Sequence, residues 1–146
     1  MINISRTELA RNTRRVIEQA RKGQPVLVES YGEEQVAILD AVDFRLLQAY
    51  ARYRGESGHQ TTAERRGITQ AELQQMVEQA SGDVQVGWDR VVAAHQDNDI
   101  SLGRAAELLN TNRYELAERY NRLGIPLQLG PRAVEEAIGE AEALHR

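Results

Sequence analysis

The chain has 146 residues, 41% hydrophobic and 27% charged, with a formal net charge of −4, a size that suits one domain or two small ones. Having no cysteine, it is excluded from disulfide frameworks, Cys-ligated zinc, iron–sulfur clusters and thiol catalysis. No apolar run approaches the roughly 18 residues of a bilayer span, and Met1–Arg6 lacks the basic-then-apolar pattern of an export signal. A cytoplasmic location with no membrane partner is therefore expected.

In chain order, Met1-Ile-Asn-Ile4 alternates like a short edge strand, and Ser5-Arg-Thr-Glu8 is a capping box that opens a helix. Leu9, Thr13, Val16, Ile17 and Ala20 give its expected buried stripe, with the end near Gly23 and Pro25 beyond. Pro25–Tyr31 and Gln35–Leu39 are β-rich runs separated by Gly32-Glu-Glu34, which predicts a hairpin with a slightly long loop. Asp40 or Asp43 then caps a second helix, with Phe44, Leu47 and Tyr50 expected to face inward. This β-α-β-β-α unit has few large core residues and would be marginal alone, so a homodimer is expected.

Residues 54–67 lose apolar periodicity and gain Gly, Ser and Thr, as a linker does. Thr69-Gln-Ala-Glu72 is a second capping box, opening a helix through Leu73, Met76, Val77 and Ala80. Val84, Trp88, Val91 and Val92 mark the face of the next helix, to about Gln96, with Trp88 expected in the core. Ile100–Leu109 and a helix capped at Asn112 and carrying Leu116, Tyr120 and Leu123 are joined by about three residues, the outline of a helix-turn-helix over 100–123. Pro131 starts a last amphipathic helix with Val134, Ala137, Ile138, Ala141 and Leu144 inward. The fold class is thus α+β, a small N-terminal module followed by a mostly helical region.

Charge follows the same division: residues 1–55 carry +2, 56–99 carry −5 and 100–146 carry −1. Residues 1–24 hold six basic residues against two acidic ones, an end suited to a polyanion. His59, His95 and His145 show no metal-ligand spacing, and phosphate-binding loops and nucleophile elbows are absent from the sequence. Neither a metal, a cofactor nor enzymatic activity is expected.

Ile4-Ser5, Glu8, Arg11-Asn12, Gly23-x-Pro25-Val-Leu-Val28, Gly32, Val36-Ala-Ile-Leu39 and Asp43-Phe44 resemble the Phd/YefM family of antitoxins over residues 1–53. Ala105-Ala-Glu-Leu-Leu109, Arg113-Tyr-Glu-Leu116 and Leu123-Gly-Ile-Pro126 resemble a second group, small helix-turn-helix antitoxins often paired with PIN-domain nucleases. The resemblance implies a type II antitoxin: residues 1–53 dimerise and bind operator DNA, 54–67 link, and 68–146 bind and inhibit a toxin. It places Arg6, Thr7, Arg11 and Asn12 on the DNA, with Arg14 and Arg15 extending the basic surface. The family often has a basic residue before the loop glycine, where this chain has Glu29-Ser-Tyr31.

Arg113, Tyr114, Arg119 and Arg122 are a second candidate contact, for DNA or for the toxin. Glu115 and Glu118 beside them favour protein. The acidic helices of 68–99 and the helix 131–145 are expected to bury their faces against the toxin. The rival reading is a stand-alone dimeric transcriptional regulator with two DNA-binding modules and no toxin.

Overall fold

The computed structural model describes residues 1–56 and 67–128. These form a three-stranded sheet near the N-terminus followed by helices, and the chain divides into two compact units, Met1–Arg45 and Leu46–Arg146. The division falls inside a helix, ahead of the linker expected at 54–67, most of which lies outside the described residues.

In the first unit, strand β1 (Ile2–Ser5) pairs in parallel with β2 (Val26–Ser30), which pairs antiparallel with β3 (Glu33–Ile38). Between β1 and β2 the chain is helical, as α1 (Arg6–Arg11) and α2 (Thr13–Arg21). Ser5 caps α1 as its spacing predicts, its Oγ accepting from the Glu8 amide at 3.1 Å. The single helix expected here is broken at Asn12 (φ −124°, ψ 34°). The Thr13 hydroxyl donates to the Leu9 carbonyl at 2.7 Å, the local competition by which Thr bends helices. The break limits the buried stripe to Val16 and Ala20; Leu9 is half-buried, while Thr13 and Ile17 are exposed.

The hairpin loop is tighter than expected. Tyr31 and Gly32 alone turn the chain, both at positive φ (54° and 77°), as the two-residue turn matched to strand twist requires. Glu33 and Glu34 consequently belong to β3.

Helix α3 (Ala41–Gly55) is capped by Asp40, whose Oδ1 accepts from the amides of Val42 and Asp43. Its buried positions are Asp43, Leu46 and Ala49, whereas Phe44 and Leu47, expected inside, are exposed. The helix carries apolar side chains around most of its circumference, so periodicity did not single out a face. The face is chosen by partners: in the second unit Arg52 pairs with Asp89, and the Tyr53 hydroxyl donates to Asp97 at 2.7 Å.

The second unit continues with α4 (Gln70–Gln79), α5 (Gln85–Gln96), α6 (Leu102–Leu108) and α7 (Arg113–Leu123), each packed on the next. Thr69, Ser101 and Asn112 cap α4, α6 and α7 by accepting from the amide three residues on. Expected to be helical from Ile100, α6 starts two residues later because Ser101 takes the cap, and Ile100 is buried ahead of it. Ala105 and Ala106 are fully buried, small enough for α6 to approach its neighbours closely. On α5 the buried face is Val91, Val92, Ala94 and His95; Val84 is exposed and Trp88 half-buried, so the tryptophan stands at the edge of this core. The helix expected from Pro131 lies outside the described residues.

Candidate nucleic-acid interface

Arg6 and Thr7 occupy the first turn of α1, Arg11 its last position, Asn12 the break, and Arg14 and Arg15 the first turn of α2. All six are exposed. The break places Arg11 to Arg15 around a second helix start, so two short helices present basic residues where one straight helix was expected. Asn12 and Arg15 line a polar cleft of about 220 Å³ with Asn3, Glu8 and Gln19. Arg14 pairs with Glu18 at 3.5 Å, a solvated contact that holds the arginine only weakly. Guanidinium groups so placed can fork onto phosphate oxygens or a guanine edge.

Glu29 is an acidic residue of β2, three positions ahead of the loop glycine. Strand register puts it with Asn3 and Leu27 on the sheet face opposite Val26 and Val28, and its Oε1 accepts from the Asn3 amide at 2.7 Å. The carboxylate is thus engaged on the far side of the sheet from the buried valines.

On the other side lies an apolar concavity of about 400 Å³ lined by Leu9, Ala10, Val28 and Val36, with Arg6 and Gln35 at its rim. Val36 is opposite Val28 in the antiparallel register and so shares its face, yet it is 56% exposed while Val28 is buried. The helices cover β1 and β2 and leave this part of β3 open.

The second candidate group is not one cluster. Arg113 and Tyr114 are joined at the start of α7, the guanidinium 5.0 Å from the ring centre and Nη2 donating to the phenol oxygen at 3.1 Å, with Tyr114 74% exposed. Arg119 instead folds onto Glu115 at 3.1 Å, its side chain 15% exposed, and Arg122 lies at the far end of the helix.

Sequence reasoning missed a buried polar pair. His95 and Tyr120 are both fully buried, their rings 5.4 Å apart and tilted by 53°. Among the described residues, neither imidazole nitrogen nor the phenol oxygen has a partner at full hydrogen-bond geometry. Burial pulls the imidazole pKa down to about 4, against a weaker contrary pull from the Gln128 backbone, and pushes the phenol up. The available signal was position: His95 continues the Val91, Val92 stripe, which marks a core site rather than a ligand. Among the described residues no three His, Asp or Glu side chains converge as a metal site, and no helix is long and apolar enough to cross a membrane.

No protein-family profile, curated protein or solved structure matches this chain.

Proposed function

We propose that the chain is the antitoxin of a type II toxin–antitoxin system, a homodimer that represses its own operon and neutralises a toxin by direct binding. The observation that carries the DNA-binding half is the exposed basic array Arg6, Arg11, Arg14 and Arg15 around two helix starts, with the Glu29 carboxylate occupied by the Asn3 amide. Thr7 and Asn12 add short polar contacts to the same surface. The open β3 beside it supports the dimer, since a twofold copy would cover Val36 and Leu9 and present two basic surfaces to a palindromic operator.

The toxin surface is assigned to the helical unit. Glu72, Glu78 and Asp83 are exposed on and after α4, within the segment that carries −5, a charge complementary to the basic RNA-binding site of a nuclease such as a PIN domain. The mechanism is stoichiometric blockade, needs no cofactor, and operates in the cytoplasm.

A second reading, a stand-alone regulator, is favoured by one feature: α6 and α7, joined by a short turn, carry the exposed Arg113–Tyr114 pair at the start of the later helix, where a helix-turn-helix reads DNA. The two readings separate in one titration against the DNA upstream of the gene. Arg11→Ala should weaken binding by about tenfold and lower the salt slope by about one. Arg113→Ala should leave binding unchanged if the chain is an antitoxin, and weaken it equally if both modules bind DNA. Co-expression with the neighbouring gene product tests the toxin half: growth should be rescued by the full chain and not by one truncated at Arg54. Rescue by the truncated chain would move toxin binding out of the helical unit.

A further inference from the structure

The helical unit contains a second apolar groove, distinct from the basic surface. It runs between α4, α5 and the end of α6, holds about 360 Å³, and has Leu73, Val77, Val84, Trp88 and Leu109 along its walls. Its rim is made of uncharged amides, Gln70, Gln74 and Asn110, and among the described residues no charged side chain lines it. An added Cβ at Gly87 would stand 3.6 Å from Val77 Cγ2, so α4 and α5 approach closely here and the floor is firm. At the mouth Val84 remains 45% exposed and Trp88 half-buried. Such a surface is satisfied by an apolar helical stripe with small residues and no charge along it.

The chain itself supplies one within reach. Gln96 Nε2 donates to the Pro126 carbonyl at 2.9 Å, and Gln128 Nε2 donates to Gln96 Oε1 at 3.4 Å, fastening residues 126–128 to the C-terminal end of α5. From Gln96 back along α5, Trp88 lies about 12 Å away and Val84 about 18 Å. Residues 129–146 follow, and in them Val134, Ala137, Ile138, Ala141 and Leu144 recur at spacings of three and four. Glu135, Glu136, Glu140 and Glu142 lie off this stripe, among Arg132, Ala133, Gly139 and Ala143, and its alanines permit close approach. A helix over 131–145 would be about 22 Å long, enough to run from the Gln96 end of α5 to Val84.

We propose that residues 131–145 dock as an amphipathic helix into the α4–α5–α6 groove of the same chain, with Val134, Ile138 and Ala141 facing Trp88 and its apolar neighbours. The inference does not rest on the antitoxin reading, because groove and occupant belong to one chain and the test needs no toxin or DNA; it replaces the expectation that the 131–145 stripe is buried against a toxin.

Trp88 is the only tryptophan, so its fluorescence reads the groove directly. In the full chain, Ile138→Glu should red-shift Trp88 emission and raise its quenching by acrylamide, because a carboxylate is expelled from an uncharged apolar groove. Val134→Ser, a milder change, should shift emission the same way by less, and Glu136→Gln, off the stripe, should leave it unchanged. Far-UV circular dichroism at the same concentrations checks that α4 to α7 stay folded. Unaltered emission and quenching in both stripe variants would overturn the assignment. Emission that shifts with protein concentration, alike in parent and variants, would also overturn it by giving the groove to a second copy of the chain.

Discussion

His95 is buried with neither ring nitrogen at full hydrogen-bond geometry to any described residue, beside a Tyr120 hydroxyl in the same condition. Buried polar groups without partners cost stability, and here the cost depends on pH. The imidazole titrates at about 4 in the fold and near 6.5 when unfolded, so the unfolded chain takes up the proton first as pH falls. The neutral side chain's full contribution is present above about pH 6.5 and is lost progressively down to about 4, a difference on the order of 3 kcal/mol. Denaturant titrations between pH 7 and 4 should show that decline, and His95→Leu should flatten it. A parent whose stability is constant over this interval would disprove the assignment. The site of burial was legible in the sequence as a continuation of the Val91, Val92 stripe. The missing partners were not, since they depend on what α7 brings opposite: a phenol whose oxygen also finds none.

At the scale of elements, caps were the most legible feature. Ser5, Thr69 and Asn112 each precede an acidic residue by three positions and each accepts the expected amide, because capping is a local hydrogen bond that needs no tertiary partner. Turn geometry was less so: a turn with positive φ at both centres favours Asn-Gly, and this chain has Tyr-Gly. Tyr31 sits at φ 54° and is fully exposed, so its strained backbone gains nothing from packing. Tyr31→Asn should therefore raise the melting temperature, by an amount equivalent to about 0.5–1 kcal/mol. A lower melting temperature would mean the ring makes a contact that offsets the strain. The break at Asn12 was hidden for another reason: the Thr13 hydroxyl competes for the Leu9 carbonyl, a choice between two hydrogen bonds of similar strength that apolar periodicity does not register.

For the whole molecule, exposure of Val36 beside the buried Val28 is the feature a dimer would relieve. If the proposed dimer forms through this face, Val36→Asp should raise its dissociation constant by about tenfold or more, the cost of leaving one valine's burial unrealised. Sedimentation at several concentrations reads this directly. An unchanged constant would place the self-association surface elsewhere. By itself the sequence determined an α+β chain, the order of its described elements apart from the break at Asn12, the caps at Ser5, Thr69 and Asn112, and the basic start of the chain, all set by near-neighbour spacing and backbone hydrogen bonds. The tertiary structure alone decided which face of α3 is buried, that Glu29 pairs with Asn3 away from the buried valines, that Arg119 folds onto Glu115 while Arg113 and Tyr114 stay open, and that His95 meets Tyr120. Each of these follows from packing between segments far apart in the chain, where several apolar or charged residues compete for one position and only the shape of the neighbouring element selects among them.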